Sequence, residues 1–84
     1  MVQFHGQLVR NGQVIIDRVE GRLDIETGPG GATFWVGYFA VPPTQSVERE
    51  EPFELLLTDG RRSKIRIERV NQSAAGVTAS FGKG

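Results

Sequence analysis

Apolar and polar residues alternate from the first residues of the chain. Val2, Phe4 and Leu8 fall on one face and Gln3, His5 and Gln7 on the other, with Gly6 interrupting the apolar side. A period of two is the signature of a half-buried strand. Arg10-Asn11-Gly12-Gln13 follows. Asn-Gly at the centre of a two-residue loop favours a type I′ hairpin turn, because both residues tolerate positive φ. Pairing Arg10 with Gln13 predicts Leu8 opposite Ile15 and Phe4 opposite Val19 on one face. Val9, Val14 and Ile16 then share the other face near the tip. The second strand reaches about Val19 and is expected to bend at Gly21.

Arg22 to Thr27 alternates again, with Leu23 and Ile25 on one side. Gly28-Pro29-Gly30-Gly31 reads as a turn. A four-residue loop there sets Ile25 opposite Phe34 and Leu23 opposite Val36. That register sends Phe34, Val36 and Tyr38 inward and leaves Trp35, Gly37, Phe39 and Val41 outside. A long polar connection, 42–52, follows, with room for no more than a single helical turn within 44–51. Phe53 to Thr58 and Ser63 to Val70 flank Asp59-Gly60. An even loop would put Arg62 and Lys64 on the apolar face. An odd loop is therefore expected, with Phe53, Leu55, Ile65 and Ile67 together and Glu54 facing Lys64 or Arg66. Asn71 to Gly76 reads as a turn, and Val77, Ala79 and Phe81 as a last strand. A tail, 82–84, is expected to fray.

Residue usage agrees with strands. Val, Ile and Thr total 19, while Leu and Ala contribute 5 each. β-Branched side chains favour pleated surfaces over helices. Gly or Pro interrupts every window of helical length outside 61–75. The expectation is one all-β domain over 1–84: a small antiparallel barrel or two-sheet roll of six or seven strands, with no α-helix beyond that single turn.

Charge and chemistry narrow the function. Ten Lys and Arg balance ten Asp and Glu, and there is no Cys. That excludes disulfides, cysteine-based metal sites and thiol catalysis. No apolar run approaches the ~20 residues of a membrane span, and Met1 to Arg10 has no leader pattern, so a cytoplasmic domain off the membrane is expected. His5 is the only His, and no Ser stands in a Gly-x-Ser-x-Gly elbow. Asp24 and Glu26 are two carboxylates without a ligand loop, and Glu48, Glu50 and Glu51 form a solvated loop cluster. The chain is expected to be no enzyme and to take no metal and no cofactor.

Three surfaces are candidates. Trp35, Phe39 and Val41, with the tip cluster Val9, Val14 and Ile16, put apolar groups on both faces of two hairpins. Large outward apolar clusters mark interfaces, so the leading expectation is a protein-interaction or self-association module. The alternative is a nucleic-acid face. Arg61 to Arg69 holds five basic residues in nine, among them Arg61, Arg62, Lys64 and Arg66. Basic faces of small barrels track phosphate backbones. The third is a motif. Arg62-x-x-x-Arg66 and Asn71-Gln72-Ser73-Ala74-Ala75-Gly76 resemble the Arg-x-x-x-Arg and (Asp/Asn)-x-Ser-x-x-Gly elements of PilZ domains, which bind cyclic di-GMP. The resemblance covers 15 residues, 62–76, with only four between the elements, a closer spacing than the family's. It implies a cyclic-dinucleotide site at Arg62, Arg66, Asn71 and Ser73.

Overall fold

Asn11 and Gly12 take φ of 52° and 77°. They close a hairpin between β1 (Val2–Arg10) and β2 (Gln13–Thr27), with Arg10 opposite Gln13 as expected. The computed structural model describes residues 1–45, 47 and 52–83. Four more strands follow: β3 (Thr33–Val41), β4 (Pro52–Leu57), β5 (Arg62–Ser73) and β6 (Gly76–Lys83). All pairings are antiparallel, and the order β1-β2-β3-β6-β5-β4 closes when β4 pairs with β1. The all-β barrel expected from the pattern is the observed fold. Among the described residues, no helix is long and apolar enough to cross a membrane.

The first hairpin departs from the expected register. Val9 faces Val14, but Leu8 faces Ile16 and Gly6 faces Val19. β2 thus carries extra residues at two places, Ile15 and the Asp17-Arg18 pair. Each bulge inverts the alternation and adds local twist. Ile16 rather than Ile15 therefore points at Leu8. Two inversions cancel, so Phe4, Leu8 and Val19 remain inward, although Phe4 now faces Gly21.

The β2–β3 turn overturns a larger expectation. Thr27 pairs with Thr33, so the loop spans five residues, 28–32. Gly30 and Gly31 both take positive φ, 77° and 82°. The Gly28 amide donates to the Ala32 carbonyl at 2.7 Å, closing the loop one residue later than a four-residue turn. A slip of one residue moves every side chain to the other face. Trp35, Phe39 and Val41 are consequently buried, at 6%, 1% and 6% exposure. Phe34, Val36 and Tyr38 are half-buried on the outside. Val9 and Ile16 are buried as well, so only Val14 of the six expected interface residues is exposed.

Two inward glycines permit this geometry. A Cβ on Gly21 would run into the Tyr38 carbonyl oxygen, and one on Gly37 into that of Arg22. Backbones approach closely there, and Phe39 and Phe81 fill the space that the missing side chains leave. The Phe81 ring lies 6.0 Å from that of Phe39 and meets Phe4 edge-on at 6.3 Å. Such contacts add to the area term of burial. Among the described residues no polar or charged residue is buried.

The β4–β5 hairpin follows the parity argument. A three-residue loop, Thr58-Asp59-Gly60, is closed by the Leu57 amide donating to the Arg61 carbonyl at 2.8 Å. Phe53, Leu55, Ile65 and Ile67 are at most 3% exposed, and Glu54 faces Lys64. In the β5–β6 hairpin the expected Asn71–Gly76 turn contracts to Ala74-Ala75, because Ser73 already pairs with Gly76. The expected fraying of 82–84 is corrected for two residues: Gly82 pairs with Arg66 and Lys83 with Ile65. Gly84 lies outside the described residues.

β3 and β4 are not neighbours in the closed sheet, and the connection between them is described only at 42–45 and 47. Its start is a turn, with the Gln45 amide donating to the Pro42 carbonyl at 3.0 Å, and Val47 packs against the core. The helical turn expected within 44–51 and the acidic residues Glu48, Glu50 and Glu51 fall largely or wholly outside the described residues.

Candidate interaction surfaces

Among the described residues the barrel interior is filled by apolar side chains, and the polar and charged groups stand toward solvent. On the outer face a groove of about 700 Å³ runs over Gly6 between β2 and β4. Its polar walls are His5, Gln7, Asp17, Arg18, Glu20 and Thr58. The β2 bulge supplies two of them, since Asp17 and Arg18 together oppose Gln7. His5 Nδ1 stands 3.3 Å from Glu20 Oε1 across the β1–β2 pair, and both side chains are more than half exposed. Asp24 contacts the Met1 amino group at 3.4 Å. Among the described residues no three His, Asp or Glu side chains gather as metal ligands.

The basic segment is divided by the fold. Arg61 turns back onto the hairpin loop, its backbone N–H donating to Asp59 Oδ1 at 3.0 Å and its Nε to Oδ2 at 2.9 Å. The backbone bond, more than the side-chain bond and charge of Arg61, holds the Asp59 carboxyl below its ordinary value, against a smaller opposing effect of desolvation. Arg62, Lys64 and Arg66 share the outward face of β5. Arg62 pairs with Glu54 at 3.0 Å. Glu68 occupies a bulge between Ile67 and Arg69, its carboxylate lying over Gly82. Beyond it Arg69 points outward again, opposite Ser80. Lys64, Arg66 and Arg69 are exposed and have no ion-pair partner among the described residues.

Beside this stripe is a feature absent from the sequence reading. β6 ends opposite Ile65, and past its end β3 comes next to β5. The resulting cavity, about 220 Å³, is lined by Phe34, Thr33, Ser63, Lys64 and the Gly28-Pro29 turn. The Phe34 ring lies against Gly28, where a Cβ would stand 3.2 Å from its Cε1. An aromatic ring and a cation thus line one groove, although thirty positions separate them in the chain. Only the strand order reveals their proximity.

The residues of the third candidate do not converge. They lie along one strand, so Arg62 and Ser73 are on the order of 35 Å apart at the usual strand rise. The Ser73 hydroxyl is occupied by its own turn: it accepts from the Ala75 amide at 3.2 Å and donates to the Gly76 carbonyl at 3.4 Å. At the opposite end from the β5–β6 turn, Val2 and Ile25 are exposed, at 68% and 49%, over a cavity of about 240 Å³ that also touches Phe4 and Leu23. Comparison of the chain with protein-family models, curated proteins and solved structures found no match.

Proposed function

We propose that this barrel is a non-enzymatic binding module that recognises a polyanion on the outer face of β5. The observation that carries the reading is the stripe of Lys64, Arg66 and Arg69, exposed and unpaired among the described residues. Lys64 and Arg66 are alternate residues of one strand and stand about 7 Å apart on its outer face, and Arg69 follows past the Glu68 bulge, whose carboxylate lies over Gly82. Such a line of cations favours a linear anion that neutralises several at once. The zero formal charge does not oppose this, because it is a sum over the whole chain, whereas these three cations stand on one strand face. An interior in which no described polar or charged residue is buried also supports recognition from outside.

Retention on immobilised heparin under a salt gradient tests this reading. The wild type is expected to bind at about 50 mM salt and elute as salt screens the contacts. The Lys64→Glu, Arg66→Glu double variant should flow through, while Arg22→Glu on β2 should elute with the wild type. Passage of the wild type without retention would overturn the proposal.

A second reading, self-association, has a different observation behind it. Met1, Val2 and Ile25 are all about half or more exposed near one rim of the barrel. Exposed apolar groups gathered over a shallow cavity are the usual mark of an interface. Sedimentation velocity at high protein concentration separates the readings: a dimer lost on Ile25→Glu favours this one, and a strict monomer eliminates it.

A further inference from the structure

Away from β5, the outer face carries a row of polar side chains across β1, β2 and β3. Gln3 faces Arg22, and Arg22 in turn faces Tyr38. The β2–β3 ladder ends at Gly21 opposite Phe39, and a groove of about 410 Å³ opens there. Gln3, Arg22 and Tyr38 line it, together with Glu20, Ala40 and Thr78 one step further along the same strands and β6. From Gln3 to Thr78 it crosses four strands, about 14 Å at the usual spacing. Ala40 is exposed and brings only a methyl, so the groove stays open beside Tyr38. Tyr38 points outward, half-buried, and takes no hydrogen bond, ion pair or ring contact.

These groups match an uncharged, polyhydroxylated ligand. A hydroxyl donates one hydrogen bond and accepts others, so a ring of hydroxyls needs both kinds of partner. Arg22 only donates, the Glu20 carboxylate only accepts, and Gln3 and Thr78 do both. Glu20 meets His5 through one oxygen and is more than half exposed. The opposite charges of Glu20 and Arg22 leave the groove no single sign with which to hold a polyanion. Tyr38 adds an apolar face with a polar tip, and ligand sites combine such a surface with a few polar groups that fix orientation. A sugar has the matching form, an apolar C–H face rimmed by hydroxyls, and the groove is longer than one sugar ring. We infer that it binds a neutral oligosaccharide, with one ring on Tyr38 and hydroxyls on Gln3, Glu20, Arg22 and Thr78. This site is distinct from the β5 stripe and does not depend on the polyanion reading.

Affinity electrophoresis tests the inference, through native gels containing a soluble β-glucan, xylan, galactomannan or starch. At least one of the four should retard the wild type. Tyr38→Ala should weaken that binding about tenfold, while Tyr38→Phe should keep it. Ala40→Gln fills the groove from an exposed position and should weaken binding too, which preserves the test if Tyr38→Ala does not fold. Both variants should elute from heparin with the wild type, so the two sites fail or stand separately. Retardation by none of the four polysaccharides refutes the inference, as does retardation indifferent to both variants. Amide shifts at Tyr38 and Thr78 with adenosine monophosphate, and none with oligosaccharides of the four types, would assign the groove to a nucleotide and overturn it.

Discussion

Replacing Phe39 by Ala tests the β2–β3 register directly. Phe39 is 1% exposed, its ring 6.0 Å from that of Phe81 and its position opposite Gly21. Truncating a buried Phe costs about 3–5 kcal/mol. A chain of this size has about 4–13 kcal/mol of net stability. The variant should therefore lose about a quarter or more of its stability, moving a urea midpoint by roughly 2 M. Phe34, half-buried on the outer side, should cost only about 1 kcal/mol when truncated, in proportion to the area it hides. Equilibrium urea unfolding followed by Trp35 fluorescence measures both. A four-residue loop would exchange the two roles, so Phe34→Ala costing as much as Phe39→Ala would refute the five-residue loop and the inward face built on it.

Three further outcomes follow from the same geometry. Gly21→Ala should destabilise by about 3 kcal/mol or more, since overpacking costs of this order arise where a backbone must move; Gly12→Ala, with φ of 77° and nothing near its Cβ, should cost only about 1–2 kcal/mol, and equal unfolding costs would count against close strand approach at Gly21. Asp59 should titrate below 3.8 in an NMR pH series. Its stabilising effect is then present above the ordinary aspartate range and lost as pH falls through the lowered value, and Arg61→Ala should restore only part of the shift because the backbone bond persists. Trp35, at 6% exposure, should resist iodide quenching, whereas quenching like that of free indole would place it on the surface.

How much of this was legible depended on whether the deciding interaction was local. The Asn11-Gly12 turn was, because backbone preference alone selects it. The Asp59-Gly60 loop was also legible, although its length was not stated by any single residue. Arg62 and Lys64 would have entered the apolar face under an even loop, and the cost of burying charge excluded it. No such charge arbitrates between Thr27 and Thr33. Apolar residues occupy both parities there, Phe34, Val36 and Tyr38 against Trp35, Phe39 and Val41, so the pattern permits either face. Glycines decided it, through two successive positive φ values that only the folded loop displays. The bulges at Ile15 and Asp17-Arg18 were hidden for a related reason: two inversions cancel, and the alternation of Phe4, Leu8 and Val19 looks undisturbed. The basic stripe was readable as one strand face. Its division was not, since Arg61 is withdrawn to Asp59 by a turn bond and Phe34 reaches Lys64 only through closure of the barrel.

The claim that recognition lies on the outer face of β5 is tested most directly by amide NMR of the labelled protein during titration with a short heparin oligosaccharide at low salt. Shift changes concentrated at Lys64, Arg66 and Arg69, reversed by added salt, are the predicted result. Changes centred on the His5–Glu20 groove or the Val2–Ile25 rim, or none at saturating oligosaccharide, would contradict it.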